Sequence, residues 1–269
     1  MWLMAKASVD DSWRALEKEE AGGGPELSAM PRYRAEDLIY EACDVTGPRR
    51  AKLAREALEL WPDCADAYVL LAQTASGLER ARELLEEGVA AGARAVGRRV
   101  FEEDAGEFWL IFETRPYMRA RASLAAVLWR LGRREEAVAH QRELLRLNPN
   151  DNQGLRYRQA NWLLELRSYD ELDRLFADHA GDGHAPGFTY TKALAAFARH
   201  GDGAQAQELL AEARSLNPHI PAYLTGHKRL PEPRPAYSVF GDESEAIDYA
   251  SGAGGLWAGV PGALAWLES

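Results

Sequence analysis

Three segments of the chain end in the same way, with an amphipathic helical run stopped by a proline. They are Ala54–Pro62, Arg142–Pro149 and Ala211–Pro218. Proline cannot continue a helix, and it restricts the residue before it. Pro149 and Pro218 are 69 residues apart, close to two periods of about 34 residues. The chain is therefore predicted to fold as a repeated pair of helices.

Composition supports a helical fold. Ala, Leu, Arg and Glu dominate the sequence, and all four are good helix formers. Runs rich in Val, Ile and Thr, which favour strands, are nearly absent. Apolar residues make up 46% and charged residues 28% of the chain, as in ordinary soluble globular proteins. We therefore expect an all-α protein.

Tyr33 to Pro218 reads as successive helix pairs that share an apolar first helix, a turn, and a second helix carrying a small residue. The clearest copy, 118–152, has Leu124, Ala125, Leu128, Gly132, Ala137, Leu144 and Pro149 at these positions. The copy at 187–220 has Tyr190, Ala193, Phe197, Gly201, Ala206, Leu210 and Pro218. Between them, 153–186 has Arg167-Ser168 at its turn instead of glycine. Small residues let paired helices approach closely, and large ones fill the groove between pairs.

This spacing resembles the tetratricopeptide repeat family. The resemblance implies a helix-pair solenoid wound into a right-handed superhelix, with a groove lined by the first helices and a helical C-terminal cap. On this basis the array runs over 31–220, with an insertion at 92–116. Within the insertion, Gly92 to Arg99 reads as a loop, and the stretch from Phe101 to Phe112 is rich in aromatic residues.

The two ends of the chain are predicted to lie outside the array. Residues 1–30 read as a flexible appendage, because Gly22 to Pro25 breaks any preceding helix. Residues 221–269 read as a Pro-rich coil followed by a helix that starts at Asp242. Asp242 and Glu245 have the spacing of a capping box. We expect this tail to cover the last repeat, because an array needs a terminal cap.

Two strings carry a narrower resemblance. Glu113-Thr114-Arg115-Pro116-Tyr117-Met118-Arg119-Ala120 and Leu147-Asn148-Pro149-Asn150-Asp151-Asn152-Gln153-Gly154 are similar to bacterial repeat proteins grouped with the suppressor of tumorigenicity seven family. That resemblance implies repeats and a scaffold, with no known catalytic residue.

Charge and missing motifs exclude several function classes. A net charge of −10 disfavours nucleic acid and anionic membranes as partners. No apolar stretch approaches the roughly 20 residues that span a bilayer. Met1 to Asp10 lacks the features of a secretory signal. We therefore expect a cytoplasmic protein. Cys43 and Cys64 are predicted to be reduced core thiols. Asp178 to His184 matches no metal motif and reads as a polar loop, so no metal, cofactor or enzymatic activity is expected.

The resemblance to tetratricopeptide arrays also suggests a binding groove. Family members that bind peptide C-termini hold the carboxylate with Lys, Asn and Arg from successive first helices. By register, Asn161 matches the Asn, Tyr157 stands where Lys is expected, and Lys192 replaces a second Asn, so this clamp is incomplete. The remaining basic and amide-bearing groove consists of Arg119, Arg130, Tyr157, Arg158, Asn161 and Lys192. The alternative is a solvated, salt-bridged face.

The leading hypothesis is a non-catalytic scaffold that binds an unidentified protein or peptide in the concave groove. Arginine forks pair well with carboxylates, which favours an acidic segment. One alternative is an enzyme or small-molecule-binding protein with a pocket formed by the 92–116 insertion and the C-terminal tail. Another is a structural subunit of a larger assembly.

Overall fold

The structure, a computed structural model, describes residues 30–182 and 185–269. Every regular element in these two ranges is helical, and neither range contains a strand. The all-α prediction is therefore confirmed. Apart from Met30, the predicted N-terminal appendage lies outside the described residues. The described chain forms two compact units, 30–155 and 156–269 without 183–184.

The first unit contains seven α-helices and one short 3-10 helix among its described residues. They are α1 Pro31–Cys43, α2 Gly47–Leu60, α3 Ala65–Gln73, α4 Leu78–Val96, α5 Arg98–Glu103, the 3-10 helix Phe112–Thr114, α6 Arg115–Arg130 and α7 Arg134–Leu147. Helix α1 packs on α2, α3 on α4, and α6 on α7, while α4 also packs on α6. The predicted pairs are thus present as antiparallel neighbours in the chain.

The second unit continues the same organisation. Its elements are α8 Leu155–Glu165 (which begins at the last residue of the first unit), α9 Tyr169–Asp178, the 3-10 helix Ala180–Asp182, α10 Pro186–His200, α11 Ala204–Leu216, α12 Ile220–Leu224, α13 Glu243–Gly259 and α14 Ala263–Glu268. Helix α10 packs on α11, and α12 packs on α13.

Prolines and glycines set the helix boundaries, as the sequence indicated. Helices α2, α7 and α11 each end two residues before their closing proline. Gly132 and Gly201 turn the chain between paired helices with φ of 80° and 70°, a left-handed conformation that glycine adopts without steric cost. In the copy without glycine, Arg167 takes up the left-handed turn with φ of 55°.

The prediction of a loop from Gly92 to Arg99 is wrong. Helix α4 runs through Gly92 to Val96, and α5 begins at Arg98. A Cβ atom on Gly92 would lie 2.9 Å from Cα of Tyr117 and 3.2 Å from Cβ of Ala65. Glycine is therefore needed here because α4 packs closely against α6 and α3, and not because the chain breaks.

The aromatic part of the insertion is folded onto the helix pairs of the first unit. Phe108 is fully buried, and its ring centroid lies 5.0 Å from that of Phe101 and 6.3 Å from that of Tyr117. The backbone N–H groups of Gly106 and Phe108 both donate to the carbonyl oxygen of Leu147, at 3.1 and 3.2 Å. The segment thus completes an apolar core with α4, α6 and α7.

The C-terminal helices pack on α10 and α11. Asp242 caps α13 by accepting from the N–H groups of Ser244 and Glu245. The Trp266 ring on α14 stacks on Phe197 with centroids 4.4 Å apart, and Arg214 donates to the carbonyl oxygen of Leu267 at 2.7 Å. The sequence had suggested coil from 221 onward and a single last helix. The structure instead contains the short α12 and divides the tail between α13 and α14.

Candidate functional site

A chain of hydrogen bonds crosses three helices of the second unit. Thr191 on α10 has its Oγ1 atom 3.0 Å from Oδ1 of Asn161 on α8 and 3.1 Å from the hydroxyl of Tyr249 on α13. The indole N–H of Trp257 donates to that Tyr249 hydroxyl at 3.0 Å. The Thr191 hydroxyl can also donate to the carbonyl oxygen of Gly187, 3.0 Å away. This polar line fixes the spacing of α8, α10 and α13.

Tyr249 stays neutral in this line. Burial raises the pKa of Tyr249 to about 12, although its hydrogen bonds with Thr191 and Trp257 act in the opposite direction. The hydroxyl of Thr191 donates to the side-chain oxygen of Asn161, which leaves the amide N–H groups of Asn161. They have no acceptor among residues 30–182 and 185–269. Asn161 therefore presents donors from a position that its neighbours hold in place.

Lys192 occupies an aromatic setting one residue after Thr191. Its ammonium nitrogen lies 5.3 Å from the ring centroid of Phe176 on α9 and 5.2 Å from that of Phe188 on α10. The Phe188 ring also meets the edge of Tyr157, with centroids 5.7 Å apart. No carboxylate of the described chain pairs with Lys192. The cation is therefore held by ring faces, which leaves its charge available to an anionic group.

The other groove residues of the second unit are engaged locally. The Tyr157 hydroxyl accepts from Nη2 of Arg156 at 3.0 Å, and the Arg156 guanidinium lies over the Tyr157 ring. The Arg158 guanidinium lies 5.2 Å from the ring centroid of Trp162. The side chains of Tyr157 and Arg158 thus have defined positions on α8, and neither rotates freely at the surface.

The two arginines predicted for the groove in the first unit differ from each other. Arg119 donates from Nε and Nη2 to both carboxylate oxygens of Asp66 on α3, at 2.8 and 2.5 Å. Burial acts to lower the pKa of Arg119, but the Asp66 carboxylate offsets this and the pKa is raised. Its fork is thus already used within the unit. Arg130 is exposed in the last turn of α6.

Sequence reasoning missed Arg115, the first residue of α6. Its guanidinium carbon lies 4.1 Å from the ring centroid of Phe112 and 4.9 Å from that of Trp109. Its Nε–H donates to the carbonyl oxygen of Trp109 at 3.0 Å. Burial, and then the nearby Arg119, lower the pKa of Arg115. The aromatic run and the following Arg-Pro were visible in the sequence, but nothing there showed that the cation folds back over the rings.

Neither a metal-binding cluster nor a membrane-spanning helix lies in the described part of the chain. It contains no cluster of His, Cys, Asp and Glu that could hold a metal ion. No described helix is long and apolar enough to cross a membrane. Cys43 and Cys64 are both free thiols, and Cys64 is buried. The polar segment Asp178 to His184 is described only in part, since 183 and 184 lie outside the described ranges.

In each unit, helices that follow one another in the chain pack as pairs, which defines an all-α protein built from helix pairs. The profile of the family described as ST7 protein matches residues 36–269. The chain therefore belongs to the ST7 protein family, and the resemblance to the suppressor of tumorigenicity seven family is confirmed.

Vertebrate proteins are among the relatives in this family. The suppressor of tumorigenicity 7 protein-like of Rattus norvegicus is 31% identical, over 82% of this chain and 43% of that protein. The human protein of the same name is also 31% identical, over 82% of this chain and 42% of its own length. The suppressor of tumorigenicity 7 protein of Macaca fascicularis is 29% identical, over 98% of this chain and 52% of that protein. The chain thus spans about half the length of these relatives. A bacterial source of the chain stays a prediction.

A solved structure aligns with part of the chain. The tetratricopeptide protein YrrB, described as having an unusual peptide-binding site, aligns with a TM-score of 0.47 and 20% sequence identity. The alignment covers 69% of this chain and 84% of that one.

Proposed function

We propose that this chain is a non-catalytic interaction scaffold that binds an acidic segment of a partner protein at its second unit, through Asn161 and Lys192. The observation that carries the proposal is the setting of Lys192. In a chain of net charge −10, its ammonium group has ring faces and no carboxylate partner among the described residues. Asn161 adds fixed amide donors on the neighbouring α8.

Short-range contacts have to overcome the field of the acidic chain. That field repels an acidic ligand at long range. Salt largely screens the repulsion beyond about 8–10 Å. A charge-assisted hydrogen bond contributes about 1.5–3 kcal/mol at contact, and the aromatic rings beside Lys192 keep water from one side of the cation. Binding should therefore weaken with added salt, but less steeply than a contact made only by exposed charges.

The packing of the insertion favours a scaffold over an enzyme. The alternative hypothesis placed a pocket formed by the 92–116 insertion and the C-terminal tail, yet Phe108 and Tyr117 are buried at the insertion and Phe101 packs against both rings. The interior is thus filled by core side chains. We propose in the same way that the protein acts in the cytoplasm without a cofactor, and that its net charge keeps nucleic acid and anionic membranes from being partners.

The test begins with the full chain as bait in a pulldown, followed by affinity measurements with the recovered partner. The variant N161A/K192A should bind that partner about tenfold or more weakly, which is 1.4 kcal/mol or more. The control is Lys52→Gln, because Lys52 is 75% exposed and forms a surface ion pair with Glu56. If the double variant binds within about twofold of the unchanged chain, the groove proposal fails.

The enzyme alternative has its own readout. Stabilisation of the folded chain by one compound from a metabolite panel, growing with its concentration, would indicate a small-molecule site. One stoichiometric protein partner without such stabilisation supports the scaffold.

A further inference from the structure

A second surface of the molecule, on the first unit, is held rigidly in place. We define the 109–115 surface by Trp109, Leu110, Phe112 and Arg115. Phe108, directly before it, is fully buried, and its N–H donates to the carbonyl oxygen of Leu147. Thr114, also buried, donates from its hydroxyl to the carbonyl oxygens of Phe108 and Ile111. These contacts fix both ends of the segment, so a partner binding there would order little new chain.

The 109–115 surface exposes large apolar side chains. Leu110 is 66% exposed and Phe112 is 49% exposed, and they lie two residues apart on a segment without a strand or long helix. Exposed apolar groups beside an arginine are typical of the residues that dominate protein interfaces. Burying them would therefore stabilise a complex, because apolar area is removed from water.

The guanidinium of Arg115 has no carboxylate partner among the described residues. Arg119, one turn further along α6, is paired with Asp66 through two hydrogen bonds. Arg115 donates from its Nε–H to the carbonyl oxygen of Trp109. No carboxylate of residues 30–182 and 185–269 reaches it. The guanidinium carbon lies 4.1 Å from the centroid of the Phe112 ring, and its remaining N–H groups form a fork of the shape that a carboxylate fits.

We propose that the 109–115 surface docks a protein segment in which an Asp or Glu lies beside an aliphatic or aromatic side chain. The carboxylate pairs with the fork of Arg115, and the apolar side chain packs on Leu110 and Phe112. This complementarity requires both parts, since a free anion would leave the apolar groups exposed and an uncharged segment would leave Arg115 buried and unpaired. The inference goes beyond the scaffold function proposed above, because it concerns the other compact unit and uses neither Asn161 nor Lys192.

The test uses random peptides displayed on phage and selected against the full chain. Selected peptides should share an acidic residue next to an apolar one. A synthetic copy of such a peptide should lose about tenfold or more in affinity when its acid is changed to the amide, and also when it is measured against R115Q. Because Leu110 is mostly exposed, L110S should keep the fold, and it should weaken binding as well. The matched control is R130Q, since Arg130 is an exposed arginine on the same helix.

The outcomes separate this proposal from the one above. N161A/K192A should bind the selected peptide as the unchanged chain does, so failure at one site leaves the other standing. The 109–115 proposal is overturned if no peptide is selected, or if selected peptides show no acidic preference. It is also overturned if R115Q and L110S, shown to be folded by circular dichroism, bind the peptide within about twofold of the unchanged chain.

Discussion

At the scale of single residues, the two cysteines show how burial changes chemistry. Cys64 is 3% exposed, and burial raises the pKa of its thiol to about 12. Cys43 is half-buried, and burial raises the pKa of its thiol too. Since the thiolate is the reactive form, both residues should behave as the reduced core thiols that the sequence predicted.

Cys64 should therefore resist alkylation in the folded chain. At pH 8 its thiolate fraction should be about a thousandfold below that of an ordinary thiol. We expect mass spectrometry after iodoacetamide treatment to find Cys64 unmodified in the native protein and modified in denaturant. Rapid native modification of Cys64 would contradict the packing around α3.

The same pKa has a consequence for stability. Below the ordinary thiol pKa of 9.0, Cys64 is neutral in both the folded and the unfolded chain. Its contribution to the free energy of unfolding is therefore fully present. Above that pH only the unfolded chain loses the proton, and stability falls until the folded thiol titrates at about 12. The variant C64A should therefore lose less stability than the unchanged chain as pH rises from 9 to 12.

Residue positions could be predicted only where the repeat fixes them. Register placed Asn161 and Lys192 on their helices, but hydrogen-bond partners depend on distances in space. The partner of Arg119 is Asp66, 53 residues away, and no motif links the two. Arg115 was missed because its partner groups are aromatic rings in an irregular segment, for which the repeat pattern makes no statement.

At the scale of helices, proline and glycine residues predicted the helix boundaries. The errors in the predicted boundaries came from the same residue types. Gly92 was interpreted as a helix breaker, since an isolated glycine weakens a helix. Its actual role depends on Tyr117, which approaches α4 from another helix. A sequence shows that a glycine is present, but only the helix crossing shows whether it serves a turn or a contact.

Gly92→Ala should destabilise the first unit. The added methyl would meet the backbone of Tyr117 at 2.9 Å, which cannot move aside as a side-chain tip would. Overpacking costs about 1–3 kcal/mol, while alanine returns at most about 1 kcal/mol of helix propensity, so we expect a net loss in urea unfolding. Gly252→Ala is the control, because nothing lies within 4 Å of its added Cβ; it should be neutral or stabilising.

At the scale of the whole molecule, the helical repeat class and the family were correctly predicted from sequence. A recurring pattern adds weak signals over many residues, so the fold class does not depend on any single copy. The right-handed superhelix stays a prediction. The division into two compact units at Leu155 falls inside α8, and no break in composition marks it, because each side forms its own core from the same kinds of residue.

The C-terminal tail should contribute much of the stability of the second unit. Trp266 stacks on Phe197 and donates from its indole to Asp202 at 3.0 Å. Replacing a buried Trp by Ala costs about 3–5 kcal/mol, and we expect Trp266→Ala to show such a loss in chemical unfolding. Tyr237→Ala is the control, since Tyr237 is 66% exposed on the same tail and should change stability by less than about 0.5 kcal/mol.

The contacts of the tail with α11 and with the turn before it have a consequence for the order of folding. Most helices pack on their neighbours in sequence, which needs only short loops to close. Trp266 and Asp202, in contrast, are 64 residues apart, and Arg214 and Leu267 are 53 apart. Closing longer loops costs more entropy and slows contact formation. The tail should therefore dock last in refolding, on a surface that the earlier helix pairs have already built.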